Sequence, residues 1–281
     1  MIFGLKMFIN QPILNWTHQY WDHIQRNIGI ISFEEQERIR TSKVAILGVG
    51  GLGGTVAENL VRAGCQDIVM ADKDTFDASN LNRQLCTLDD IAHYKVDVIE
   101  KFLKKIDPEV NITKFYTISP ENIENVLEGV DVVALTLDGP ITSILIEREC
   151  RRQKIPMCET WAVPMLFSWW FAEGSVSYEE LYGLPTQHLS NQQLYELRDQ
   201  LKLTSCKSLF SKILRMLGVE KTYDREPGAY EMMMREQVGI RSFAPIVRLT
   251  ADYLVMELIF TGILEIKSMT LAPAYNEINY F

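Results

Sequence analysis

The chain has 281 residues, of which 47% are hydrophobic and 23% charged, an ordinary balance for a soluble globular protein with ample length for a buried core. Its formal charge of −9 argues against a general nucleic-acid-binding surface, and no apolar run approaches the ~20 residues needed to span a bilayer. Five cysteines at irregular spacing (Cys65, Cys86, Cys150, Cys158 and Cys206) point to free thiols in a reducing compartment, and the N-terminus carries no clear signal peptide, so a cytoplasmic protein is expected.

Residues 1–42 read as an N-terminal arm and helix. Phe8, Ile13, Leu14 and Trp16 suggest a segment that packs on another surface, such as a partner protomer. Ser32 followed by Glu35 is a capping-box helix start, and Arg26 lies just before it on an extended or turn segment. Val44 to Leu47 then has the length of a buried strand, Gly48, Gly50, Gly51 and Gly53 follow at once, and a helical pattern begins at Thr55. Strand, glycine turn and helix is the layout that receives a phosphate at a helix N-terminus, where unpaired N–H groups and the dipole favour an anion. The next apolar run, Ile68 to Ala71, ends in Asp72, which in a parallel sheet sits near that turn within reach of a ribose. Asp74, Ser79, Asn80, Arg83, Gln84 and Lys95 make a polar block that a diphosphate does not need; an arginine and a lysine suit the greater charge of a triphosphate.

Lys95 falls in a helical pattern over Leu88 to Ile106, and another strand follows IDPEVNI. Val130 to Leu137 is a further apolar strand ending in Asp138, at the face where ligands bind in such sheets; the plainer role for Asp138 is to cap a helix starting near Ile141. Trp161, Trp169 and Trp170 read as core or interface residues and Cys158 as a packed small hydrophobe. Residues 174–240 are more polar and poorer in strand signals, with helices expected at Gln192 to Leu201 and Lys207 to Leu217 and an adaptable apolar surface or core filler at Met232 to Met234. After Pro245 an amphipathic helix is expected to bury Ile246, Leu249, Tyr253, Leu254 and Leu258, and the tail to add a strand or two.

The runs GVGGLG, DKDTFDASNLNRQ and HYK resemble the ThiF/MoeB/HesA family, the adenylating relatives of ubiquitin-activating enzymes, over roughly residues 20–172 and 240–265. The SNLNRQ block is far more specific than the glycines. The resemblance implies an α/β fold, a doubly wound and mostly parallel Rossmann-like sheet, as one adenylating domain over 1–281 with an inserted helical crossover lobe at 174–240. It implies ATP and Mg²⁺, with Asp138 on the metal, Arg83 and Lys95 on the phosphates, Asn80 on a phosphate or the metal's water shell, and Asp72, Asp74 and the glycines on the nucleotide. It also implies a homodimer in which Arg26 reaches the partner protomer's ATP site. The lobe occupies the place of the segment that often bears a catalytic cysteine, and Cys206, at an expected helix start, is the candidate nucleophile. Gly139 replaces the usual Asn, Leu135 stands where an acid is common, and there is no C-x-x-C pair, so no zinc is expected. These departures tilt the reading towards the peptide-tailoring branch resembling PaaA and MccB, which activates a carboxylate on a ribosomal precursor peptide. The rivals are activation of a ubiquitin-like sulfur carrier's C-terminus, action on a modified tRNA base, an NAD-dependent oxidoreductase and a non-catalytic nucleotide binder.

Overall fold

The structure, a computed structural model, describes residues 15–198, 206–235, 237 and 239–279. Short β-rich runs form seven strands: β1 (Lys43–Leu47), β2 (Asp67–Ala71), β3 (Asn111–Phe115), β4 (Val132–Leu135), β5 (Met157–Glu159), β6 (Met165–Phe171) and β7 (Asn276–Asn279). They make one sheet in the order β3-β2-β1-β4-β5-β6-β7. The first five are parallel, and β6 and β7 join antiparallel. Strand order reverses between β1 and β4, which opens a crevice at the carboxyl ends of these two strands. This is the doubly wound α/β sheet that the sequence implies.

The central strands are buried on both faces, and alternate residues feed two separate cores. Val44, Ile46, Ile68, Met70, Val132 and Ala134 face one side. There they meet α3 (Gly51–Arg62), α4 (Lys95–Ile106) and α11 (Ala244–Met256), which continues as a π-helical turn over Glu257–Ile263. Ala45, Leu47, Val69, Val133 and Leu135 face the other side, against α5 (Ile123–Val126) and α6 (Pro140–Gln153). The segment between β6 and α11 holds α7 (Tyr178–Leu181), α8 (Asn191–Glu196), α9 (Cys206–Leu217) and α10 (Ala229–Met234). Its Tyr178, Tyr182, Leu194, Phe210, Ile213 and Met233 share the second core with the sheet.

At the N-terminus, α1 (His18–Ile24) and α2 (Phe33–Thr41) lie before the sheet. Trp16, Tyr20, Trp21 and Ile24 make a small cluster of their own. Phe8, Ile13 and Leu14 lie outside the described residues. The capping box at α2 is present: Ser32 accepts from the Glu35 amide, and Glu35 accepts from the Ser32 amide.

Several expected boundaries move, each for a local reason. The helix after the glycine turn starts at Gly51, not Thr55, so the glycine run supplies its first turn. The pattern over Leu88 to Ile106 is not one helix. Thr87 and Asp90 close a short 3₁₀ turn at Leu88–Asp90, Ala92 takes a left-handed φ of 68°, and α4 begins at Lys95. The strand expected over Val130 to Leu137 is β4, only Val132–Leu135, and α8 stops at Glu196. In α11 the buried stripe is Val247, Thr250, Ala251, Leu254 and Val255, while Leu249 is 42% exposed and Ile246 only half-buried. The helix presents this stripe to α3, where Asn59 bonds Asp252 and Glu58 pairs with Arg248 at 3.4 Å.

Candidate active site

The glycines divide into two pairs by what surrounds them. Gly48 has φ +100°, and a Cβ there would sit 2.7 Å from the Thr136 carbonyl. A Cβ on Gly53 would lie 1.7 Å from the Gly48 oxygen. These two let the loops after β1 and β4 and the start of α3 touch backbone to backbone, a close approach that no side chain permits. Thr136 fastens the contact by donating to the Gly48 carbonyl at 2.6 Å and the Leu47 carbonyl at 3.1 Å. Gly50 and Gly51 instead open onto a cleft, at the N-terminus of α3.

That cleft, of about 210 Å³, lies at the crevice between β1 and β4. Its lining includes Gly50, Gly51, Asp74, Arg83, Gln84, Lys95, Thr136 and Asp138. Lys95 is 8% exposed and its Nζ donates to Asp74 Oδ2 at 3.0 Å. A cation in the first turn of α4 opposes the helix dipole, so this placement does not serve the helix. Arg83 Nη1 donates to the Ser79 carbonyl at 2.9 Å and to Asn82 Oδ1 at 2.7 Å, and no carboxylate among the described residues pairs with it. Asp138 makes no hydrogen bond or ion pair with the described residues, and it caps no helix: the N-cap of α6 is Gly139, with Pro140 as the first helical residue. Gln84 is nine-tenths buried and lines the cleft beside Gly50, and its Oε1 has no hydrogen-bond partner among the described residues. An unpaired buried amide of this kind costs about 1–3 kcal/mol until a ligand group meets it.

Asp72, Asn80, Gly48 and Gly53 do not line the cleft; in this chain they support its wall. Asp72 Oδ2 accepts from the Val49 amide and Oδ1 from the Asp74 amide, both at 2.9 Å, which ties β2 to the glycine turn. Burial pushes the Asp72 carboxyl up from its ordinary value, and the Lys95 cation and the backbone N–H groups oppose that rise. Asn80 is buried and shapes the turn that presents Arg83: its Oδ1 accepts from the Asp77 amide, and its carbonyl accepts from the Arg83 amide.

A family model matches residues 24–196, more than half of the chain, and its description is the ThiF family. The chain belongs to the ThiF family. This ThiF-family chain is 36% identical over 145 residues to tRNA threonylcarbamoyladenosine dehydratase of Bacillus subtilis, covering 50% of this chain and 55% of that protein. It is 30% identical over 149 residues to molybdopterin-synthase adenylyltransferase of Haemophilus influenzae, covering 52% and 58%. The chain therefore spans only somewhat over half the length of these curated relatives. Among solved structures, PaaA superposes with TM-score 0.61 at 16% identity, covering 99% of this chain and 77% of that one. E. coli MccB with AMPCPP and MccA gives 0.62 at 18%, covering 99% and 73%. E. coli TcdA in complex with ATP gives 0.52 at 20%, covering 67% and 76%. At these identities the likeness is one of fold.

Of the residues singled out in the ThiF-family motifs, the cleft brings together Gly50, Gly51, Asp74, Arg83, Lys95 and Asp138. Arg26 is exposed in the turn after α1 and does not line this protomer's cleft. Helix α9 does begin at Cys206, but the Cys206 side chain lies outside the described residues. Cys158 is fully buried, and burial pushes its thiol well up, which suits packing and not nucleophilic attack. Among the described residues no cluster of three or more His, Cys, Asp or Glu could hold a metal, and no helix is long and apolar enough to cross a membrane.

Sequence reasoning missed the far wall of the cleft: Thr160, Trp161, Phe210, Arg241 and Ser242. Asn82 Nδ2 donates to the Ser242 carbonyl at 3.0 Å and so joins the SNLNRQ block to the segment before α11. Trp161 packs against Phe210 of α9, ring centroids 6.0 Å apart. Its Nε1 donates at 3.1 Å to Glu159, which also accepts from the Tyr182 hydroxyl at 2.6 Å. Glu159 is 1% exposed, and burial pushes its carboxyl up to about 7 against the pull of these hydrogen bonds.

Proposed function

We propose that this chain adenylates a carboxylate with ATP. The observation that carries the reading is the meeting, in one cleft at the strand switch point, of two cations, Arg83 and Lys95, with the glycine N-terminus of α3 and the unpaired carboxylate of Asp138. A carboxylate oxygen of the substrate attacks the α-phosphorus. The new acyl–oxygen–phosphorus bond forms as the bond to the bridging oxygen breaks, and the electron pair leaves on pyrophosphate. The obstacle is repulsion between anions and charge growing on the leaving group. Fixed cations and backbone N–H groups lower it without reorganising at the moment of reaction. Arg83 and Lys95 hold phosphate oxygens, and the amides of the glycine turn approach them closely. Asp72 holds the glycine turn against β2 from behind the cleft, Asp74 sets the Lys95 ammonium, and Asn80 supports Arg83 from behind.

Magnesium fits the residues present. Asp138 offers hard oxygen at the cleft with no partner among the described residues, and Mg²⁺ characteristically takes one or two carboxylates plus substrate phosphates. When bound there, the ion would neutralise phosphate charge. The sibling likeness to MccB and PaaA reaches across the whole chain, including the segment between β6 and α11, whereas that to TcdA stops at about two thirds. This supports a precursor-peptide carboxylate as substrate. The proposal further places the chain in a homodimer where the partner subunit's Arg26 completes the site, with the Cys206 thiol as candidate acceptor of the acyl group. The 36% identity to a tRNA dehydratase favours a tRNA base as the second reading, against which stands the net charge of −9.

Calorimetric titration with ATP and with NAD tests the central claim. ATP should bind in the presence of Mg²⁺, NAD should not, and Arg83→Ala should weaken ATP binding at least tenfold while leaving the circular dichroism spectrum intact. Tight NAD binding, or ATP affinity indifferent to Arg83, overturns it. The partner peptide is sought by mass spectrometry of small peptides that co-purify from the native operon, before and after ATP addition, with AMP and pyrophosphate as products.

A further inference from the structure

A second cavity, of about 410 Å³, adjoins the cleft and shares Ala162, Arg241 and Ser242 with it. Pro164, Tyr223, Arg225, Phe243 and Ile246 form the rest of its apolar and basic wall, with Thr222. Two features set this groove apart from the surface around it. The chain carries 37 acidic residues against 28 basic ones, yet among the described residues that line the groove there are two arginines and no acid. Arg241, which both cavities share, has no hydrogen bond or ion pair for its exposed guanidinium among the described residues. A guanidinium left open at a cavity junction is a fork-shaped donor for a carboxylate.

We infer that this groove is the binding site for the segment of the substrate flanking the activated carboxylate, and that it selects a peptide carrying at least one further acidic side chain. The inference rests on the adenylation reading for the identity of the neighbouring cleft. Its own content is the acidic peptide. A substrate lying along the groove would pass Phe243, which is 64% exposed, place an acidic side chain against Arg225, and meet Arg241 at the mouth of the cleft. A peptide is favoured over nucleic acid by the overall charge of −9 and by Tyr223, whose ring is engaged edge-to-face with Phe210 at 5.6 Å and so offers less of a stacking platform. Because the whole molecule repels anions, preference for an acidic peptide would have to come from a local site.

The test is fluorescence anisotropy with the full chain and two fluorescein-labelled heptapeptides, one alternating Gly and Glu, the other alternating Gly and Gln. The Glu peptide should bind at least tenfold more tightly than the Gln peptide at low salt. Arg225→Glu should erase that preference without changing ATP affinity measured by calorimetry, because Arg225 lines the groove and not the cleft. Equal affinity for the two peptides, or a preference that survives Arg225→Glu, overturns the inference. So does a labelled hexauridylate that binds tighter than the Glu peptide. If ATP fails to bind while the Glu preference holds, the groove stands and the adenylation reading falls; if ATP binds and the preference is absent, the reverse is true.

Discussion

At the residue scale, sequence neighbours in the glycine run have opposite tolerances. Gly53→Ala forces a Cβ to within 1.7 Å of a backbone oxygen and should cost at least about 3 kcal/mol, read as a large fall in the thermal midpoint. A Cβ on Gly50 meets nothing nearer than the Gln84 side chain at 3.8 Å, so Gly50→Ala should fold with a loss of about 1 kcal/mol or less, its defect appearing as weaker ATP binding by calorimetry. Glu159 supplies a pH signature. Its folded carboxyl titrates near 7, above the ordinary value of ~4.3, so between those two values the folded chain holds a proton that the unfolded chain has released. That contribution to stability is full below the lower value and lost as pH rises through the upper one. Denaturant melts of wild type and Glu159→Gln from pH 5 to 8 should differ by a term that changes by up to about 3 kcal/mol, the wild type losing ground as pH rises. Parallel curves would remove the buried proton. These residues also mark how much of the site was legible beforehand. Arg83 and Lys95 stand in a motif with local spacing and Asp138 ends an apolar strand, so their place at the cleft could be read. Trp161, Phe210 and Arg241 reach the cleft from three distant segments with no spacing in common, and Trp161 looked like any core tryptophan.

At the scale of elements, strands and helix starts were readable where the signal is local: the apolar runs of β1 and β2, and the Ser32–Glu35 box. The register of α11 was not, because its apolar residues occur nearly all round the helix and α3 decides which of them are covered. The consequence is measurable. Leu254→Ala should cost about 2–5 kcal/mol, whereas Leu249→Ala should stay within about 0.5 kcal/mol, in urea unfolding. Comparable costs at the two positions would restore the stripe expected from periodicity, which held both leucines. The long apolar pattern before α4 misled for a related reason: periodicity cannot register the left-handed φ at Ala92 that separates the 3₁₀ turn from the helix.

At the scale of the whole molecule, Arg26 lies off its own cleft, so a role in catalysis requires a second copy. Arg26→Ala and Asp138→Ala should each abolish pyrophosphate release with the native peptide, and co-expressing the two variants should restore on the order of a quarter of wild-type activity through mixed dimers with one intact site. No recovery in a mixture shown to contain mixed dimers would return Arg26 to the solvent. The clasp between Asn82 and Ser242 carries a last consequence, for biosynthesis. The two groups are 160 positions apart, and Val247 closes over Gly51 from the same late segment. A nascent chain that has exposed everything through α6 owns the glycine turn but only half of its rim. The pocket is finished only when the ribosome has delivered α11, so premature termination before that helix yields a product without the completed site.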